Sequence, residues 1–207
     1  MKQRARITCL FLDIGGVLLT NGWDHHARRR AANHFKLHWE EMEERHALNF
    51  VIYETDKLTL QEYLGWVVFY KKRSFTRAEF WRFMCAQSKP FGEMVELIRQ
   101  LKAKHGLKII VLSNEARELN DYRIHKFKLD EFVDAFVSSC LVRLHKPDAA
   151  IFRLALDIAM TPAQQIVYIE NTPMFVQIAD GFGIRGLLHT DYRSTCKKLA
   201  LLGLSLN

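Results

Sequence analysis

The chain is punctuated by short apolar runs that stop at polar or glycine positions. Ile7-Thr8-Cys9-Leu10-Phe11-Leu12 ends at Asp13-Ile14-Gly15-Gly16, residues 107–112 end at Ser113-Asn114, and residues 165–169 end at Glu170-Asn171. Residues 132–137 and 184–188 have the same character. Such brief apolar runs predict strands buried on both faces, as in a parallel sheet. The Gly15-Gly16 pair marks a tight turn after the first strand, because glycine adopts positive φ without steric cost.

Between these runs the period changes to that of a helix. Residues 92–105 carry Met94, Leu97, Ile98 and Leu101 on one stripe, and Gly106 stops them. Pro147 is expected in the first turn of a helix running to Met160. Thr172 and Pro173 read as the cap and first residue of another helix, closed by Gly181 or Gly183. From about Asn21 to Lys89 the pattern is helical throughout, with about four helices expected. Thr76-Arg77-Ala78-Glu79 is a capping box, and Thr59-Leu60-Gln61-Glu62 has part of the same logic.

Strands alternating with helices predict an α/β fold, a Rossmann-like doubly wound parallel sheet. The all-helical stretch is then an insertion after the first strand, over the carboxyl edge where open α/β sheets bind ligands. The expected division is a core of residues 1–20 and 90–207 and a helical unit of residues 21–89. Most aromatics of that unit (Trp39, Phe50, Tyr63, Trp66, Phe69, Tyr70, Phe80, Trp81 and Phe83) are expected in its own core, with one or two lining a specificity pocket.

Composition narrows the classes. The 207 residues are 49% hydrophobic and 26% charged, which excludes disordered, collagenous and low-complexity chains. Thirty Lys+Arg against 23 Asp+Glu give a formal charge of +7, a mild bias toward anionic partners. The basic residues are interleaved with Glu40, Glu41, Glu43 and Glu44 and form no stripe, so no nucleic acid is expected. Cys9, Cys85, Cys140 and Cys196 have neither zinc nor CxxC spacing and are expected as buried thiols in a reducing compartment. Residues 1–6 before the run 7–12 mimic a signal peptide, but Asp13 ends the apolar run too early and no cleavage site follows. With no apolar stretch of roughly 20 residues, the expectation is a soluble cytoplasmic protein without membrane contact.

The candidate chemistry lies where the strands stop. One carboxylate (Asp13), one hydroxyl (Ser113), one lysine (Lys146) and an acid with an amide (Glu170, Asn171) would meet at one crevice. That set can hold a divalent cation, a nucleophile and a phosphoryl group.

These segments, in order, resemble the motifs of the haloacid dehalogenase superfamily of hydrolases, over essentially the whole chain. Phe11-Leu12-Asp13-Ile14-Gly15-Gly16-Val17-Leu18 resembles the first motif and Val111-Leu112-Ser113-Asn114 the second. His145-Lys146-Pro147-Asp148 resembles the third. Val167-Tyr168-Ile169-Glu170-Asn171-Thr172-Pro173 resembles the fourth, and Gly183-Ile184-Arg185-Gly186 continues the pattern. The helical insertion is similar to the C1 cap of subfamily I. The resemblance implies a hydrolase with Asp13 as nucleophile and Mg²⁺ on Asp13, the Gly15 carbonyl, Glu170 and Asn171. It also implies phosphate held by Ser113, Lys146 and backbone amides near Gly15, Gly16 and Asn114. The function implied is a Mg²⁺-dependent phosphatase acting on a small phosphorylated metabolite through an aspartyl-phosphate.

Two departures bear on that reading. The position two after the nucleophile, commonly a proton-donating Asp, is Gly15, and the fourth motif pairs Glu170 with a neutral Asn171. His25 and His26 are candidates for a substitute acid/base, and Arg28, Arg29 and Arg30 for a distal anion. The alternatives are a metal-independent 2-haloacid dehalogenase, opposed by Glu170 and by the lack of a Tyr at position 15, and a catalytically weak binding or regulatory protein. Two glycines without GxGxxG do not support dinucleotide binding.

Overall fold

A computed structural model describes residues 5–206. Residues 1–4 of the signal-like segment, and Asn207, lie outside the described residues. Five strands, β1 (Cys9–Leu12), β2 (Lys108–Ser113), β3 (Ala135–Ser138), β4 (Ile166–Glu170) and β5 (Arg185–Leu188), form one sheet in the order β3-β2-β1-β4-β5. Every neighbouring pair is parallel, with Leu12 level with Val111 on one side and Ile169 on the other. The first strand is thus central and the order doubles back across it, which is the doubly wound arrangement expected from the alternation.

Alternate residues of β1 enter two separate cores. Leu10 and Leu12 join Ile109, Val111, Val167 and Ile169. That face is covered by Met94, Leu97, Ile98 and Leu101 of α5 (Gly92–His105) and Leu199 of α10 (Tyr192–Leu201). Cys9 and Phe11 face the other way, with Ile110, Leu112 and Tyr168. There they meet Ile151, Phe152, Ala155 and Ala159 of α8 (Ala149–Ala159) and Ala179 of α9 (Pro173–Gly181). A strand buried on both faces has no polar side, and each large apolar side chain so buried is worth about 1.5–3 kcal/mol.

Boundaries differ from the sequence pattern by two residues or more in three places. The first strand begins at Cys9, not Ile7. The third begins at Ala135, not Phe132, because a short 3₁₀ turn (Leu129–Glu131) precedes it and Asp134 holds the start of β2. The Asp134 N–H donates to the Ile109 carbonyl and its Oδ2 accepts from the Ile109 N–H at 2.7 Å. Pro147 stands outside α8: Asp148 is the cap, its Oδ1 accepting from Ala150 N–H at 2.8 Å, and the Lys146–Pro147 peptide is cis. Cys9, Cys85 and Cys140 are buried free thiols as expected, but Cys196 is only half-buried.

Four helices fill the insertion: α1 (His25–His34), α2 (Trp39–Glu54), α3 (Leu60–Val67) and α4 (Arg77–Ala86). Thr59 and Thr76 both close complete capping boxes, with Glu62 and Glu79. The helices share an apolar cluster of their own, in which Phe35, Phe75 and Phe80 pack with tilted and stacked rings and Tyr53 stacks on Tyr63 at 4.2 Å. Trp66, by contrast, is half exposed. The chain leaves and re-enters the sheet layer side by side: Thr20 N–H donates to the Lys89 carbonyl, and Phe91 N–H to that of Leu18.

Polar ties also join the insertion to the elements after β2, which are α6 (Arg117–Lys126) and the short α7 (Ser139–Val142). Arg117 grips Asp56 through two nitrogens at 3.0 and 2.8 Å, Leu60 N–H donates to Glu118 at 2.7 Å, and Ser139 Oγ donates to the Glu54 carbonyl at 2.7 Å. No helix among the described residues is long and apolar enough to cross a membrane.

Candidate active site

Three adjacent strands deliver polar groups to one point. Asp13 follows β1, Ser113 ends β2 and Glu170 ends β4, and all three are buried. Lys146 enters from the loop before α8 and is 1% exposed. Its Nζ lies 2.9 Å from Asp13 Oδ1, 2.8 Å from Glu170 Oε2, 3.0 Å from Tyr168 Oη and 3.2 Å from the Leu112 carbonyl oxygen. Tyr168 donates its own proton to Glu170 Oε2 at 2.5 Å. Burial and the two carboxylates push the Tyr168 phenol well above its ordinary pKa, so it remains a donor.

The charges do not balance. Burial opposes the Lys146 ammonium, but Asp13 and Glu170 outweigh that and lift it above the usual lysine range. Burial raises the Asp13 carboxyl, and Glu170 adds to the rise against the pull of Lys146 and the weaker one of Ser113. Two carboxylates and one ammonium leave a net negative charge in a buried site, which repels an incoming phosphate dianion unless a further cation is present.

The oxygen donors for such a cation are in place. One edge of the Asn171 amide sits 2.9 Å from Glu170 Oε1 and 3.2 Å from the Gly15 carbonyl oxygen. With nitrogen on that edge the amide donates to both. Turned the other way, the amide oxygen would join Glu170 Oε1 and the Gly15 carbonyl oxygen as a third donor to a bound cation. Among the described residues no group of three or more His, Cys, Asp or Glu is arranged for a metal. Here, with Asp13 alongside, the set is two carboxylates, a carbonyl and an amide, hard oxygens that fit Mg²⁺.

The neighbouring residues shape this cluster. Gly16 has φ +74°, and a Cβ there would lie 2.2 Å from Asn171 Nδ2. Its N–H is already given to the Leu19 carbonyl at 2.7 Å, so Gly16 contributes room and not the phosphate-binding amide expected of it. The Asn114 side chain clamps the lysine's backbone, with Oδ1 accepting from Lys146 N–H at 2.8 Å and Nδ2 donating to the Lys146 carbonyl at 3.0 Å. His145 accepts from Asn114 Nδ2 at 3.3 Å, so its Nε2–H donates to Glu54 of α2 at 2.7 Å. A helix of the insertion is thereby tied to the lysine loop.

Above the cluster lies a cleft of about 540 Å³ between the sheet edge and the inserted helices. Asp13, Ser113, Lys146, Glu170 and Asn171 form its floor, and Trp23, His46, Phe50, Tyr53 and Met84 line the side of the inserted helices. Trp23 Nε1 donates to Tyr63 Oη at 2.8 Å, so the Tyr63 proton goes to His46 Nδ1, also at 2.8 Å. Burial pushes the His46 pKa down to about 3, so the ring is neutral with its proton on Nε2, an atom without a hydrogen bond among the described residues.

The candidates from α1 do not reach this cleft as free groups. His25 and His26 pack edge to face, and neither lines it. Arg28 lines it but is held by both oxygens of Glu43, with Nε to Oε2 at 2.8 Å. Arg29 lies over the Trp39 ring and Arg30 donates to Gln87. The sequence reading missed Tyr168, His46 and Glu115. Of these only Tyr168 carried a signal, as a phenol two positions before the acid on the same face of an otherwise aliphatic strand.

Fold, strand-end cluster and cleft together define a hydrolase scaffold, and comparison with known proteins agrees. The model of the haloacid dehalogenase-like hydrolases matches residues 7–177, and the chain belongs to that family. Over 115 residues it is 28% identical to the sesquiterpene phosphatase astK of Aspergillus oryzae, covering 55% of this chain and 58% of that protein. Over 121 residues it is 29% identical to acyl-CoA dehydrogenase family member 10 of Mus musculus, covering 58% of this chain but 11% of that protein. The chain thus spans little more than half, or far less, of these relatives. The fold is shared with a HAD family enzyme of Bacteroides thetaiotaomicron solved with magnesium and inorganic phosphate. That match has a TM-score of 0.74 and 18% identity, over 89% of this chain and 94% of that one. It is shared less closely with the L-2-haloacid dehalogenase of Xanthobacter autotrophicus, with a TM-score of 0.61 and 13% identity over 96% and 84%.

Proposed function

We propose that this chain is a Mg²⁺-dependent phosphatase that cleaves a small phosphorylated metabolite through an aspartyl-phosphate, with residues 21–89 acting as a cap over the site. The observation that carries this reading is the convergence of Glu170 Oε1, the Gly15 carbonyl and the Asn171 amide beside a net-negative Asp13–Lys146–Glu170 cluster. The phosphatase relative and the magnesium–phosphate complex of the structural neighbour support it. Bound Mg²⁺ would supply positive charge against the phosphoryl oxygens and the carboxylates.

The chain's own residues then have separable tasks. Asp13 attacks phosphorus, and water later cleaves the acyl phosphate. Lys146 holds one Asp13 oxygen and supplies fixed positive charge to the transferring group. Ser113 donates to a phosphoryl oxygen, Asn114 contributes its backbone amide while its side chain positions Lys146, and Tyr168 fixes the Glu170 carboxylate. Glu170 has no task in a dehalogenase that works without metal, which disfavours that alternative.

Above the floor, Arg28 is neutralised by Glu43, and the cleft is lined by Trp23, Phe50 and a neutral His46. A second anionic group on the substrate finds no free cation there among the described residues. The cleft suits a phosphomonoester whose remaining part is uncharged and accepts a hydrogen bond from His46 Nε2–H. The test is phosphate release from a generic aryl phosphate by wild type and Asp13→Asn, with Mg²⁺ and with EDTA. Loss in both the variant and EDTA supports the reading. Turnover of 2-chloropropionate unaffected by EDTA replaces it with dehalogenation, and binding without any turnover replaces it with a regulatory role.

A further inference from the structure

The phosphatase reading leaves one chemical task unassigned. Position 15 has no side chain, and a Cβ placed there would meet Asn21 Oδ1 at 3.4 Å, an amide with no acidic proton. Departure of an alkoxide without protonation forfeits about 10²–10⁴-fold in rate. The histidines nearest in sequence do not reach the cleft, and His46, neutral above pH of about 3, has no second proton to give at neutral pH.

Resting on that reading, we propose that Glu115 is the proton donor to the leaving group and the base for the attacking water. It directly follows Asn114, which borders the phosphoryl position, and it lines the same cleft as Asp13 and Ser113 while only 4% exposed. Arg123 Nη1 of α6 grips Oε1 at 2.5 Å from behind, and Arg123 Nη2 is anchored on the Thr20 carbonyl at 2.6 Å. Oε2 makes no hydrogen bond among the described residues. The groups facing the carboxyl are Arg123 from α6, Asp13 from the turn after β1 and Glu54 from α2. Burial and the two acids outweigh Arg123 and push the carboxyl up to about 7, where it can both give and take a proton.

The steps balance. As an Asp13 carboxylate oxygen bonds to phosphorus, the bond from phosphorus to the ester oxygen breaks, and that oxygen takes the Glu115 proton to leave as an alcohol. Glu115, now a carboxylate paired with Arg123, then accepts a proton from the water that attacks phosphorus. The phosphorus–Asp13 bond breaks, freeing phosphate with Glu115 again protonated.

The test is the dependence of kcat/KM on the leaving group, across phenyl phosphates from p-nitrophenyl to unsubstituted phenyl. Wild type should vary little along the series. Glu115→Gln keeps the contact to Arg123 but has no acidic proton. Its kcat/KM should fall least on p-nitrophenyl phosphate and increasingly toward phenyl phosphate, by up to about 10²–10⁴-fold. Glu115→Asp, which retains a carboxyl, should lie between, and its slope carries the test if the Gln variant does not fold. An equal loss on every substrate, or none, overturns the assignment and leaves the phosphatase reading intact. A wild type that cleaves none of the series overturns both.

Discussion

The Lys146 ammonium donates to Oδ1 of Asp13 at 2.9 Å across 133 positions of sequence, and both side chains are buried. The same ammonium meets Glu170 at 2.8 Å. Removing it strands two buried carboxylates, and breaking a buried pair in this way costs about 3–5 kcal/mol. Lys146→Met should therefore lose activity and unfold at lower urea concentration. Mg²⁺ should restore part of the midpoint and EDTA none of it. Equal midpoints in Mg²⁺ and EDTA would count against a cation at this cluster.

Gly16 tests the space around Asn171. A side chain at φ +74° costs roughly 1–3 kcal/mol, and its Cβ displaces the Asn171 amide. Gly16→Ala should raise the Mg²⁺ concentration giving half-maximal rate by roughly tenfold or more, as loss of supporting contacts around a metal does. A Mg²⁺ titration of the rate decides this, and an unchanged half-maximum would remove Asn171 from the metal set.

The neutrality of His46 has a signature in stability against pH. In the unfolded chain it protonates near 6.5, and in the folded protein only near 3. Between those values the unfolded state binds more protons, so this contribution is full above about pH 6.5 and fades as the pH falls toward 3. Glu115 acts oppositely. Its pKa rises from 4.5 to about 7 on folding, so its contribution is full below 4.5 and fades as the pH rises through 7. Urea unfolding of His46→Gln between pH 4 and 7 should lose the rising component and show stability declining with pH. A slope unchanged from wild type would show that His46 is not held neutral.

The relay behind His46 offers a separate check. Tyr63→Phe removes the proton that fixes the ring tautomer and leaves the Trp23 N–H without its acceptor, at a cost of about 1–3 kcal/mol. The variant should raise KM for substrates contacting the cap more than it lowers kcat. An unchanged KM would place His46 outside the substrate's reach.

The strand-end residues were legible because each stands where an apolar run stops. Asp13, Ser113 and Glu170 needed only that pattern and the parallel order it implies to be brought together. Lys146 carried a weaker signal, because a lysine in a loop before a helix looks on its own like any solvated lysine. Glu115 and Arg123, eight positions apart, pair only because the chain turns between β2 and α6. His46 depends on Tyr63 and Trp23, which lie on other elements of the insertion. Arg28 looked available in sequence, and only the packing of α1 on α2 delivers Glu43 to neutralise it. Strand starts slipped where a polar side chain such as Asp134 replaced a backbone partner.

In this mechanism Asp13 carries the phosphoryl group. Intact-mass measurement after rapid acid quench of wild type turning over an aryl phosphate in Mg²⁺ tests it most directly. One added phosphoryl group is expected, released by hydroxylamine and absent in Asp13→Asn. Steady phosphate release with no adduct at any quench time, or an adduct that persists in Asp13→Asn, would contradict it.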